Sequence, residues 1–112
     1  MRNQKEFSKC WWDDSNADIG RWYLMLGDTE FLSLQDVDIV YSNCYPWQKP
    51  NCKYLLDMCK FGYSCSEAIK AETVEEAKKA CEEWLIQHLT DRIDGLYSSI
   101  RYCEGLLQLI KN

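Results

Sequence analysis

Seven cysteines and one histidine are the side chains of this chain with the most reactive chemistry to offer. A nucleophilic thiol needs a base within hydrogen-bond reach, and His88 is the one histidine that could serve. Cys81 stands two helical turns before it, about 10 Å away along a helix, which is too far for a direct hydrogen bond. A histidine beside an apolar helical stripe reads as structural, so no catalytic residue is assigned. Structural zinc sites draw their ligands in close pairs such as C-x2-C. Here Cys44, Cys52, Cys59 and Cys65 are separated by seven, six and five residues. Only convergence through the fold would bring these thiolates together, and no metal or other cofactor is expected. Most of the thiols are expected to be reduced and to serve as small core residues.

Carboxylates offer a second kind of chemistry. Asp13 and Asp14 are adjacent, with Asp18 close by, and Asp36 and Asp38 alternate along an extended-looking run. Paired acids can hold magnesium or cleave glycosides, but both tasks need a cleft and further ligands. In a chain of net charge −5 such pairs read as solvated acidic faces that can meet a basic partner. The same charge makes direct nucleic-acid binding an unsuitable role, because phosphate contacts need grouped Lys and Arg. Neither a G-x-x-x-x-G-K-[ST] loop nor a G-x-G-x-x-G turn occurs, so nucleotide binding has no support.

The elements that must position these groups begin with two adjacent tryptophans. On a strand Trp11 and Trp12 point to opposite faces, one toward a core and one toward solvent, where it can anchor a partner. In Arg21–Leu26, Trp22, Leu24 and Leu26 alternate with Tyr23 and Met25. Gly27-Asp28 supplies a tight hairpin turn, and Phe31–Leu34 returns antiparallel. Asp36–Tyr41 places Val37, Ile39 and Tyr41 on one side and both carboxylates on the other, the pattern of a half-buried strand.

Ser42–Cys52 holds both prolines and cannot be a central strand. It reads as a surface loop carrying Tyr45 and Trp47, either presented for recognition or, for Trp47, folded back over the sheet. Lys53–Lys60 fits a fourth strand or a short helix. Phe61-Gly62 turns the chain, and Ser64 with Glu67 has the spacing to cap one short helical turn.

From Thr73 the period changes. Thr73 and Glu76 form a capping-box pattern, acidic residues cluster in the first turn, and Glu75 precedes Lys79 by four, which suits a helical ion pair. Val74, Ala77, Cys81 and Trp84 recur as one apolar stripe that covers the sheet. Leu85, Leu89, Ile93, Leu96, Ile100, Cys103, Leu107 and Ile110 then step by four and three, a seam with a period of about 3.5 that suits a partner helix. An unbroken helix here would run about 55 Å, beyond the roughly 30 Å of a small domain. The stretch is therefore one long helix, straight or kinked, or two helices broken near Thr90–Gly95, where Thr90-Asp91 offers a cap and Gly95 a weak point.

The fold expectation is α+β: a three- to four-stranded antiparallel sheet followed by that C-terminal helix. Its 112 residues form a single domain, with residues 1–10 loosely ordered, 11–72 sheet-rich and 73–112 helical. No apolar run reaches the roughly 20 residues of a membrane span, and the opening residues lack a signal-peptide core, which points to the cytoplasm.

A strand-rich aromatic half followed by T-V-E-E-A-K-K-A-C-E-E-W resembles the small α+β proteins of bacteriophages and mobile elements. In those proteins a T-x-E-E-A-K pattern opens a helix packed across a short antiparallel sheet. The resemblance spans Trp22 to Leu89 and transfers no catalytic residue. It implies a non-enzymatic, phage-type protein that occludes or remodels a host protein, such as an anti-CRISPR inhibitor of a defence nuclease. The partner would be a protein, itself a nucleic-acid binder if acidic mimicry is the device. Candidate contact residues are Trp11, Trp12, Asp13, Asp14, Asp36, Asp38, Tyr45 and Trp47. The alternative is an accessory subunit that forms a homodimer through Leu89, Ile93, Leu96, Ile100, Cys103, Leu107 and Ile110. A Cys-based zinc protein or enzyme is the third reading.

Overall fold

The computed structural model describes residues 9–60 and 63–111. Five strands form one antiparallel sheet in chain order: β1 (Cys10–Asp13), β2 (Arg21–Leu26), β3 (Thr29–Asp36), β4 (Tyr54–Lys60) and β5 (Tyr63–Ile69). A short helix α1 (Val37–Val40) follows β3, and helix α2 (Val74–Lys111) follows β5. The α+β expectation holds, with one strand more than its upper bound. The chain resolves into two compact units, one up to Cys81 and one from Glu82 onward. No helix among the described residues is long and apolar enough to cross a membrane.

Register explains the first unit. Residues directly opposite on antiparallel strands share a face. Trp12 stands opposite Leu24, Leu24 opposite Leu32, Trp22 opposite Leu34, and Leu34 opposite Leu56. Tyr54 faces Ile69 one step further along. These side chains are buried, with Met58 on the same face, except for Trp12, which is half-buried. Burying each large apolar side chain contributes about 1.5–3 kcal/mol.

The opposite face carries Tyr23, Ser33, Gln35, Leu55 and Asp57. Its polar groups satisfy one another: Gln35 Nε2 donates to Asp57 Oδ2 at 2.5 Å, and Ser66 Oγ donates to Asp57 Oδ1.

The β2–β3 hairpin closes through Gly27-Asp28, since Leu26 pairs with Thr29. Gly27 has φ 66°, the positive value that two-residue hairpin turns require. Leu24 faces Leu32 but Met25 faces Glu30, so Phe31 is the extra residue of a β-bulge.

Two segments depart from expectation. Asp36–Tyr41 is not a strand. Asp36 ends β3 and becomes an N-cap whose carboxylate accepts the Asp38 N–H at 3.0 Å, and Val37–Val40 turns helical. Capping overrides the period-two pattern, so Val37 is buried while Ile39 is 44% exposed, and the two carboxylates do not share a strand face. Gly20 makes that corner possible: its carbonyl accepts the Asp36 N–H at 2.8 Å, and a Cβ there would lie 2.9 Å from Ile39 Cβ. Likewise Ser64 and Glu67 cap no helical turn, because β5 pairs with β4 from Lys60↔Tyr63 to Tyr54↔Ile69. The expected turn at Phe61-Gly62 lies outside the described residues. So does most of the 1–10 segment, expected from sequence to be loosely ordered, although Cys10 already belongs to β1.

Helix α2 starts as its capping pattern predicts. The Glu76 N–H donates to Thr73 Oγ1 at 3.2 Å, while the Glu76 carboxylate accepts the N–H of Glu72 at 3.2 Å, one residue earlier than in a standard box. Ala77 and Cys81 are fully buried. The helix then continues without interruption to Lys111. Thr90, expected as a possible cap, instead donates its hydroxyl to the Ile86 carbonyl at 2.7 Å.

Candidate functional site: an aromatic loop and an uncovered helical seam

Acidic residues proposed as partner contacts turn out to be engaged within the first unit. Asp13 accepts the Ser15 N–H at 2.9 Å, and hydrogen bonding by the Ser15 side chain, with this backbone bond, holds its carboxyl below the usual carboxylate range. Asp14 accepts from Lys78 Nζ at 2.9 Å. Asp36 is the α1 cap, and Asp38 pairs with Lys49, whose hydrogen bond and charge hold the Asp38 carboxyl low. Lys78 joins several elements: its side chain is only 11% exposed, its ammonium lies 6.0 Å from the Trp12 ring centre, and Glu75 stands 3.7 Å away. The expected partner of Glu75 was Lys79. The signal for Lys78 in the sequence is its place between Ala77 and Cys81 on the buried stripe.

Both members of the tryptophan pair are also held in place. Trp11 is 37% exposed and donates its indole N–H to the Gly27 carbonyl at 2.8 Å. Trp12 shares the face of Leu24 and approaches Lys78.

The loop after α1 is different. Pro46 opens a 3-10 turn over Pro46–Gln48, a position where its missing N–H costs nothing. Gln48 fixes the turn twice, donating its N–H to the Tyr45 carbonyl at 2.9 Å and accepting the Tyr45 N–H on Oε1 at 3.1 Å. Tyr45 and Trp47 stack with ring centres 4.6 Å apart and planes within 3°. Tyr45 is 63% exposed and Trp47 78%, so Trp47 is presented to solvent and not folded over the sheet. Beside them Lys49 is paired with Asp38, and Lys53 Nζ donates to the Glu72 carbonyl at 2.7 Å. Partial burial pushes the Cys52 thiol up, and burial with the nearby Asp36 and Glu76 charges does the same for Tyr54.

In the second unit, Trp84 and His88 stack with ring centres 4.8 Å apart. From Ile93 to Lys111 every side chain is exposed. Ile93, Leu96, Ile100 and Leu107 are each about half exposed and Ile110 is 81% exposed. Cys103 is exposed on the same stretch. Tyr97 and Leu106, which the spacing of four and three passes over, add to this apolar surface.

The thiols do not form a core set. Only Cys81 is buried; Cys10, Cys44, Cys59 and Cys103 are exposed and Cys52 and Cys65 intermediate. Cys59 and Cys65 occupy successive register positions, Cys59↔Ser64 and Met58↔Cys65, and so point to opposite faces of the sheet. Among the described residues no group of three or more His, Cys, Asp or Glu is placed to hold a metal ion.

No family model, curated protein or solved structure matches the chain.

Proposed function

We propose that this chain is a non-catalytic protein-interaction module that assembles through the C-terminal part of α2. One observation carries the reading: Ile93, Leu96, Ile100, Leu107 and Ile110 are uncovered along one helix at coiled-coil spacing. A lone helix in water is marginal, and Gly95 and Gly105 each weaken it by about 0.8–1 kcal/mol relative to alanine. Burial of the seam against another helix supplies the missing stability, and a second copy of the chain satisfies it without any further component. Sedimentation of the full chain should give a mass above 13.3 kDa that rises with concentration. Ile100→Asp should return it to the monomer by placing a charge in the seam, with the sheet unit still folded. A monomer at every concentration would sink the reading.

The stacked Tyr45–Trp47 pair favours a second contact, with a different protein. Aromatic side chains held by a proline turn lose little entropy on binding, and such residues dominate binding hot spots. The phage-type inhibitor that occludes a host protein, nuclease or otherwise, would use this platform. Its test is a pull-down from host lysate at low and high salt, in which Trp47→Ala should lose a stoichiometric partner that the parent chain retains. Retention of that partner by Trp47→Ala would remove the platform from the account.

A further inference from the structure

The helical seam holds enough detail to fix how two copies meet. Ile93, Ile100 and Leu107 recur every seventh residue, preceded in phase by Ile86, which is 67% exposed. These are a positions, and Leu89, Leu96, Cys103 and Ile110, three residues further on in each heptad, are d positions. Isoleucine therefore fills the first three a layers and leucine the first two d layers. In a parallel pair the a and d layers have different packing geometries, and β-branched a with leucine d favours two strands. An antiparallel pair mixes a with d, and the division of residue types would then have no packing role.

The flanks agree with this arrangement. In a parallel in-register pair the g side chain of one copy approaches the e side chain of the next heptad in the other. Those pairs are Arg92 with Tyr97, Ser99 with Glu104, and Leu106 with Lys111, so no like charges meet. Gly95 and Gly105 fall at outer c and f positions, where an added Cβ meets nothing within 4 Å. Area is sufficient as well. At about 90 Å² per side chain, the seven exposed seam residues of each copy, all but half-buried Leu89, bury about 1,300 Å². Stable interfaces bury about 1,200–2,000 Å².

Resting on the assembly role proposed above, we infer that the occupant of the seam is a second copy of this chain, parallel and in register from Ile86 to Ile110. One consequence is chemical. Each d residue then faces itself, so the two Cys103 side chains oppose one another across helices about 8–10 Å apart, within reach of disulfide geometry. Oxidised glutathione can close that bond: two Cys103 thiols form one S–S bond, two glutathione thiols are released, and thiol–disulfide exchange moves the protons and electrons between the same groups.

The test uses the full chain. It is equilibrated with oxidised glutathione, resolved without reductant, and the linked peptides are identified by mass spectrometry, alongside sedimentation under reducing conditions. Cys103–Cys103 should be the main link, and Cys103→Ser should lose the covalent dimer while sedimenting as the parent does. In the double variant C103S/L96C, cross-linking should return at position 96, because every in-register layer pairs with itself. A chain that sediments as a dimer but links at neither position would overturn the parallel register and leave the assembly role standing. A monomer in reducing sedimentation would overturn both.

Discussion

The two units of this chain dispose of their side chains in opposite ways. Up to Cys81, the sheet buries an apolar core and conspicuous polar groups are committed: Asp14 to Lys78, Asp38 to Lys49, Asp57 to Gln35 and Ser66, and the Trp11 indole to Gly27. Beyond Ile93 the apolar groups themselves are uncovered. A region whose groups are satisfied within itself has little left to offer a partner, whereas one that exposes a periodic apolar face gains stability only by covering it. Tyr45 and Trp47 are more exposed than Ile19 and Ile39, the next large apolar side chains of the first unit, and they lie on a connecting loop, the usual carrier of recognition.

The contrast can be broken most forcefully in the core. Leu56→Ala should cost the sheet unit about 2–5 kcal/mol in denaturant unfolding followed by tryptophan fluorescence, because Leu56 is fully buried among close neighbours. Leu107→Ala should leave that transition in place and instead raise the dissociation constant of the assembly. Equal effects of the two on sheet unfolding would erase the distinction between the regions.

Glycine substitutions should differ in sign. Gly20→Ala should destabilise by about 1–3 kcal/mol, since φ is 78° and the new Cβ would press on Ile39. Gly95→Ala should stabilise the helix by about 0.8–1 kcal/mol, read as raised helicity in far-UV circular dichroism, because the added methyl meets nothing.

The smallest effect is electrostatic. The Lys49 hydrogen bond lowers the folded-state pKa of Asp38, so its stabilising contact is present above the unfolded value near 3.9 and is lost as pH falls through the lower folded value. An NMR titration should show Asp38 with a midpoint below that of an ordinary aspartate, and Lys49→Met should move it back up. An unchanged midpoint in that variant would detach Lys49 from the shift.

Sequence pattern was most informative where a single local rule acts. The Gly27-Asp28 hairpin, the Thr73–Glu76 start of α2 and the alternation Trp22–Leu24 each follow from propensity or capping and appear in place. At Asp36–Tyr41 two local rules compete, and the capping carboxylate of Asp36 prevails over alternation. Strand β5 is not legible locally, because Y-S-C-S-E-A-I has no strong period of its own; pairing with β4 makes it a strand, a tertiary cause invisible in a local window. Gly95 did not break α2, its cost falling on one residue of a 38-residue helix. Of the candidate contacts, the surface loop carrying Tyr45 and Trp47 followed from its two prolines, whereas the choice of Trp47 between solvent and the sheet did not. The engagement of Asp14 did not follow from spacing, because its partner Lys78 is 64 positions away, whereas Asp13 and Asp36 are held by backbone N–H groups two residues on.

Hydrogen exchange at two protein concentrations tests the central claim most directly. If the seam is an assembly surface, amides from Ile93 to Ile110 should exchange slowly at high concentration and faster on dilution, while those of the paired strands β2, β3 and β4 keep the same protection at both. Seam amides whose protection does not change with concentration, in a chain that stays monomeric, would contradict the account.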